Sequence, residues 1–182
     1  KISIQGRNVH PGYAKNKMIN ALHVATEFDQ LLPSFMKPEY TANYEGFYHL
    51  VALNGSVENA SMQYIIRDHD RALFEQKKSW IIETAQFINK KYGSKILTIE
   101  LKDQYFNMKE MVEKEIHIVD TAFEAMELCE IKPKVVPIRG GTDGSRLSYM
   151  GLLCPNIFAG GHNFHGKFEF VPLESMVKAT EV

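Results

Sequence analysis

Cysteines, basic clusters and long apolar runs are all scarce in this sequence, and each shortage excludes a class of protein. Only Cys129 and Cys154 occur in 182 residues, too few for a disulfide framework, so we expect buried free thiols. The formal net charge is -1 and the lysines and arginines are scattered, which argues against nucleic acid as a partner. No apolar run approaches the ~18 residues of a membrane span, and no signal peptide is recognisable. We therefore expect a cytoplasmic protein that does not bind membranes.

What remains is a globular composition, 45% hydrophobic and 24% charged, which suits one large or two small domains. The sequence begins at Lys1, without methionine and inside an alternating pattern, and it ends at Val182 inside a helical one. This predicts a piece of a longer protein.

The first half of the chain mixes stretches of strand-like and helix-like spacing. A period of two predicts strands at residues 2–5, 47–53, 60–67 and 97–101. Helical spacing predicts helices at residues 15–32 and 70–92, and Gly93 is placed as the C-terminal cap of the second. The order βαββαβ predicts a ferredoxin-like sandwich, in which two helices cover one face of an antiparallel sheet.

Beyond residue 107 the pattern becomes helix, strand, helix, strand, helix, as in a doubly wound parallel sheet. Strands are predicted at residues 134–138 and 155–159, between helices at 116–129, up to Met150, and from Leu173. Two strands do not make a stable sheet, so the remaining strands are expected from sequence outside this chain. The predicted fold class is α/β (α+β), with a ferredoxin-like domain at 1–107 and the C-terminal part of a doubly wound α/β domain at 108–182.

Two loops follow the predicted parallel strands, at the sheet edge where ligands gather in open α/β folds. The first carries Arg139, whose planar guanidinium can hold a carboxylate, and then Gly140 and Gly141, which allow close backbone approach. Thr142 is placed to cap the helix that follows. A glycine turn with a surface arginine explains the same residues.

The second loop, residues 160–170, has the side chains of a site for chemistry. His165 can bind zinc through a neutral imidazole, but a zinc site needs three or four ligands. His162, Asn163 and Glu169 do not complete such a site, because they can equally form hydrogen bonds within a polar loop. The sequence alone leaves both interpretations open.

Two further candidates lie in the first half. His10 precedes Pro11, which favours an extended conformation and an outward imidazole that could donate to a developing oxyanion. An ordinary loop histidine is the alternative. Arg67 closes an apolar strand, and it can bind an anionic ligand or pair with Asp68 and Asp70.

Six separated motifs, in order along the chain, carry a resemblance to a known family. The motifs are residues 8–12 (NVHPG), 65–68 (IIRD), 105–108 (YFNM), 137–144 (PIRGGTDG), 154–156 (CPN) and 160–170 (GGHNFHGKFEF). Through them the chain resembles the tripeptide-cleaving members of the di-zinc exopeptidases, whose catalytic domain contains an inserted lid, or dimerisation, domain. The resemblance implies that residues 1–107 are the lid and that residues 108–182 belong to the catalytic domain.

The resemblance also implies roles for individual residues. His165 corresponds to the last zinc ligand, and His10 to a lid histidine that stabilises the tetrahedral intermediate, in relatives often across a dimer. Arg67 and Arg139 resemble the arginines that hold the anionic end of the substrate, and Asn163 is placed with them as a substrate-binding residue. His162 departs from the tyrosine expected in relatives.

The implied activity is zinc-dependent release of the N-terminal residue of a tripeptide, by metal-activated water and a glutamate base. The resemblance also implies two zinc ions per complete site as the cofactor, and a second copy bound through the lid as the partner. Apart from His165, the family's zinc ligands and its glutamates lie upstream of Lys1. We therefore expect this chain alone to be inactive. The alternative is a non-catalytic lid-type module that mediates dimerisation or binds small carboxylates.

Overall fold

The computed structural model describes all 182 residues, which divide into two compact units, Lys1–Gln104 and Tyr105–Val182. The first unit contains a four-stranded sheet and two long helices, and the second is built from short helices and irregular segments. None of the helices combines the length and apolarity needed to cross a bilayer. The two cysteines, Cys129 and Cys154, are free thiols and half-buried.

The first unit has the predicted βαββαβ order. Its elements are β1 (Ile2–Gln5), α1 (Ala21–Leu31), β2 (Phe47–Gly55), β3 (Asn59–Arg67), α2 (Arg71–Lys91) and β4 (Leu97–Ile99). The strands lie in the order β2-β3-β1-β4, and every neighbouring pair is antiparallel. The prediction of a ferredoxin-like sandwich is confirmed, because this is the strand order that a split βαβ unit produces.

The core of this unit lies between the helices and one face of the sheet. Alternation in β1 buries Ile2 and Ile4, while the residues between them stay exposed. The largest fully buried side chains come from all of the layers and include Phe28, Met62, Ile81, Ile88 and Leu97. These contacts hold β1 in place, and the loop that carries His10 follows directly from this strand.

Helix α1 begins at Ala21, six residues later than predicted, because a side chain caps it there. The Asn20 side chain accepts a hydrogen bond from the Leu22 N–H at 3.0 Å, and Asn16 before it has a positive φ of 58°. A backbone bridge between Arg7 and Ile19 also withdraws this stretch from the helix. Helical spacing alone did not reveal this boundary.

Helix α2 follows the prediction closely at both ends. Asp70 caps its start by accepting from the Leu73 N–H at 2.9 Å, and Gly93 follows its end with a φ of 66°. Strand β4 ends at Ile99 rather than at residue 101, and beyond it the Glu100 N–H still donates to the Lys1 carbonyl at 2.8 Å.

Lys77, which interrupts the apolar stripe of α2, is buried rather than solvent-exposed. Its Nζ lies 2.7 Å from Oδ2 of Asp68, and the two side chains are only 6% and 2% exposed. The Tyr48 hydroxyl donates to the Lys77 carbonyl at 3.0 Å. Gly46 leaves room for the carboxylate, since a Cβ at that position would overlap Asp68. The stripe therefore contains an ion pair as part of the packed interior.

In the second unit the predicted helices are confirmed and the predicted strands are wrong. The helices are α3 (Lys109–Val112), α4 (His117–Leu128), α5 (Asp143–Tyr149) and α6 (Leu173–Glu181). Residues 134–138 and 155–159 form no regular strand, and Val135 is 71% exposed. A strand needs a hydrogen-bonded neighbour, which two isolated segments do not supply. Val112 is the one apolar residue of this unit among the buried ones.

We predict that the first unit loses stability at alkaline pH. Burial raises the pKa of Tyr64 above its ordinary value of 10.0, and its hydrogen bond to Asp29 raises it further. A group whose pKa is raised by folding contributes stability that is complete below the unfolded pKa and is lost as the pH rises above it. The denaturant concentration at the midpoint of unfolding should stay constant up to about pH 8 and be lower at about pH 11. In Tyr64→Phe this midpoint should decrease less over the same pH range. Equal pH dependence of the two proteins would contradict the assignment.

Candidate functional site

The loop after β1 holds His10 in a defined orientation. His10 has an extended backbone, with φ -54° and ψ 127°, and it precedes a short 3-10 helix, Pro11–Tyr13. The Gly12 N–H donates to Nδ1 of His10 at 3.1 Å, and the ring packs against Tyr13 with centroids 5.4 Å apart. The extended conformation predicted from Pro11 is confirmed. The exposed imidazole has its Nδ1 engaged by the backbone, so Nε2 is the nitrogen left for a ligand.

Arg67 ends β3 and is half-buried. Its Nη1 donates to the Ile66 carbonyl at 3.0 Å, and its Nη2 donates to Oε1 of Gln104 at 3.1 Å. The aspartates that the sequence offered as alternative partners have other donors. Asp68 pairs with Lys77, and Asp70 caps α2. The guanidinium is therefore oriented by the end of the strand and by the last residue of its own unit.

In the second unit, Arg139 precedes a glycine turn that leads into α5. The Thr142 hydroxyl accepts from the Ser145 N–H at 3.4 Å, so the predicted cap is present. Asn156 also donates to this hydroxyl, at 3.2 Å. A Cβ on Gly141 would overlap the Tyr105 ring, which explains why glycine stands there. Arg139 itself is half-buried at the start of this turn.

The loop at residues 160–170 is a closed turn held by its own side chains. His162 and Phe170 form an antiparallel bridge, and their rings stack 5.0 Å apart at 17°. The Glu169 carboxylate accepts from the backbone N–H of His165 at 2.9 Å, and the Asn163 side chain donates to the Phe168 carbonyl at 3.2 Å. These contacts connect the two ends of the loop and hold its turn closed.

His165 lies in the left-handed region of backbone space, with a φ of 62°. That conformation is uncommon for a residue other than glycine, and it is held here by the Glu169 bond to its N–H. The imidazole is exposed at the tip of the loop. The sequence places Glu169 in this loop, but it does not indicate that the Glu169 carboxylate accepts a hydrogen bond from the His165 backbone.

Side chains that could ligate a metal do not cluster in this chain. Among its 182 residues, no group of three or more histidine, cysteine, aspartate or glutamate side chains is placed to hold a metal ion. His165 alone does not fit a zinc ion, which takes at least three protein ligands. The predicted residues are therefore distributed: His10 and Arg67 in the first unit, and Arg139, Asn163 and His165 in the second.

Comparison with known proteins identifies a family for the first unit. The sequence profile described as "Peptidase dimerisation domain" matches residues 1–95, which is more than half of the chain. This match covers the first three strands and both long helices of the first unit, and it ends just before β4.

Individual relatives match along the whole chain. Peptidase T of Clostridium acetobutylicum is 58% identical over 182 residues, covering 100% of this chain and 45% of that protein. The crystal structure of the aminopeptidase PepT from Bacillus cereus has a TM-score of 0.72 at 18% identity, covering 99% of this chain and 48% of that one. A tripeptidase structure from Staphylococcus aureus has a TM-score of 0.76 at 15% identity, with the same coverage of both chains.

The two crystal structures, at 18% and 15% identity, share the fold of this chain. The Clostridium acetobutylicum protein, at 58% identity, is related to it in sequence over all 182 residues. The chain spans about half the length of the relatives it matches.

Proposed function

The chain belongs to the Peptidase dimerisation domain family, and from this we propose that it is part of an aminopeptidase that releases the N-terminal residue of tripeptides. The observation that carries the proposal is the 58% identity to a Peptidase T over every residue of the chain. Residues 1–107 would form the lid and dimerisation domain, and residues 108–182 the C-terminal part of the catalytic domain.

In this enzyme His10 would stabilise the oxyanion that forms when the peptide carbonyl is attacked. Its exposure and the engagement of Nδ1 by Gly12 support this role, because they leave Nε2 as the outward donor. A donor held in place before the reaction costs no reorganisation when the negative charge develops.

Arg67, Arg139 and Asn163 would bind the substrate. A tripeptide ends in a carboxylate, and the planar fork of a guanidinium matches that group with two parallel hydrogen bonds. Arg67 is supported in this role by its anchoring to Ile66 and Gln104, which limits the side chain's freedom before a substrate arrives. Asn163 sits in the same turn as His165.

The cofactor of the proposed enzyme is zinc, two ions per complete site, with His165 as one ligand. The hydrogen bond from the His165 N–H to Glu169 supports this, since ligands on preorganised backbone lose little entropy on binding. The other ligands would lie in sequence outside these 182 residues.

The proposed enzyme is a homodimer joined through its lid domains and acts in the cytoplasm. The family description supports association, and β2 is an edge strand whose Val51 and Leu53 side chains are exposed. The free thiols Cys129 and Cys154 suit a reducing compartment.

The proposal is tested by comparing this chain with the complete protein from which it comes. We expect the complete protein to hydrolyse tripeptides and to hold stoichiometric zinc, and the 182-residue chain to do neither. Peptide release and metal content should be measured on both. A complete protein without tripeptidase activity, or turnover by the shorter chain alone, would contradict the proposal.

A non-catalytic dimerisation module is the second candidate. It is favoured by one observation, that the first unit has its own hydrophobic core. Sedimentation of the complete protein, together with its activity, separates the two: a dimer without peptidase activity would support the module.

A further inference from the structure

The hydrogen bond between Gly12 and His10 does more than close a turn. In a neutral imidazole one nitrogen carries the proton and donates, and the other accepts. Because the Gly12 N–H donates to Nδ1 at 3.1 Å, Nδ1 must be the acceptor. The proton is then on Nε2, the nitrogen that faces away from the backbone.

We infer that Gly12 is a positioning residue that fixes His10 in the Nε2–H tautomer. The inference rests on the proposed function only for its consequence in catalysis, namely that an oxyanion meets a donor and not a lone pair. The tautomer itself is a property of this loop and can be measured without any substrate.

The His10 ring lies close to the position that a side chain at residue 12 would occupy. A Cβ built there would lie 3.2 Å from Nδ1 and 3.3 Å from Cε1 of His10, closer than ordinary contacts. The imidazole would have to move away from the backbone N–H to relieve this contact. An alanine would therefore keep the N–H but lengthen and weaken its hydrogen bond to Nδ1.

The backbone of the turn is held by hydrogen bonds of its own. The Tyr13 N–H donates to the His10 carbonyl at 2.9 Å, and the Ala14 N–H donates to the Pro11 carbonyl at 3.3 Å. Pro11 fixes its own φ, and Tyr13 covers one side of the ring. With the backbone held in this way, the orientation of His10 depends on Gly12.

The test is nitrogen NMR of the His10 ring in the 182-residue chain, at a pH where the imidazole is neutral. The wild-type chain should show Nδ1 unprotonated and Nε2 protonated. Gly12→Ala should shift the ratio of tautomers toward Nδ1–H by about fivefold, the equivalent of one ordinary hydrogen bond. Lys15→Ala, an exposed change in the same loop, should leave the ratio unchanged.

A wild-type ring protonated on Nδ1, or an unchanged ratio in Gly12→Ala, would overturn the inference. Backbone amide spectra of each variant show whether the chain is folded. In the complete protein, Gly12→Ala should lower kcat by about fivefold with KM unchanged. If that protein cleaves no tripeptide, the proposed function fails, while the tautomer measurement still decides the inference.

Discussion

In the complete protein, replacing His10 with asparagine should lower kcat by about 100- to 1,000-fold, the effect of removing one oxyanion donor. Asparagine is the informative replacement because its side-chain oxygen can accept the Gly12 N–H, as Nδ1 of His10 does. The turn is then preserved while the donor at Nε2 is lost. Steady-state hydrolysis of a tripeptide gives kcat, and metal analysis of the same sample should show unchanged content.

The matched control is His23→Asn, a histidine exposed on α1, which should retain wild-type turnover. Parallel loss of metal and of turnover in His10→Asn would argue for a structural or metal-binding role. Wild-type turnover in that variant would remove His10 from the mechanism.

Replacing Lys77 with methionine should destabilise the first unit by about 3–5 kcal/mol, because it leaves a charged carboxylate buried without its partner. The Asp68 side chain is 2% exposed, so water cannot replace the lost ammonium. Trp80 is the one tryptophan of the chain, and it packs against the core of the first unit. Its fluorescence during urea denaturation therefore reports on this unit.

A double variant shows whether Lys77→Met destabilises the first unit by leaving Asp68 without a charge partner or by altering the packing around residue 77. Asp68→Asn together with Lys77→Met removes both charges and should recover most of the stability, since an uncharged pair has no unpaired ion to bury. Lys91→Ala breaks the pair with Glu27 on the surface and should have a small effect. If Lys77→Met and Lys91→Ala were equally mild, the buried pair would not stabilise the fold.

The elements of the first unit could be predicted because each carries its own signal. Alternation marks β1, and the caps at Asp70 and Gly93 define α2. Lys77 interrupts the apolar spacing of α2, but the sequence gives no sign that Asp68, nine residues earlier and across a turn, pairs with it. Long-range pairs of this kind depend on how β3 and α2 pack, which periodicity does not encode.

The strands predicted at 134–138 and 155–159 are absent, because strand formation depends on more than local composition. Their composition favours strands, but a strand exists only when another one pairs with it. Composition is a property of each segment, whereas pairing depends on a second segment elsewhere in the chain. The sequence therefore indicates that these segments are extended, but it does not show whether a neighbouring strand pairs with them.

At the candidate site, the sequence located the residues and the structure added their supports. The extended conformation of His10 followed from Pro11, and the cap at Thr142 from its position before a helix. The bonds from Gly12 to His10 and from His165 to Glu169 involve backbone groups, which every residue possesses. Residue types therefore do not predict these hydrogen bonds, which depend on the folded conformation of the loop.

The buried pair has a consequence for how this sequence can evolve. Gly46 leaves space for the Asp68 carboxylate, and Lys77 neutralises its charge. Burial of this carboxylate therefore depends on two residues that are distant from Asp68 in the sequence. A change at any one of them alone leaves a steric overlap or an unpaired charge, whereas a joint change at Asp68 and Lys77 avoids both. Among related chains, Asp68 and Lys77 should therefore be replaced together, whereas Gly46 should stay glycine even where Asp68 is lost, because a Cβ there would also lie 2.6 Å from the Arg67 carbonyl oxygen.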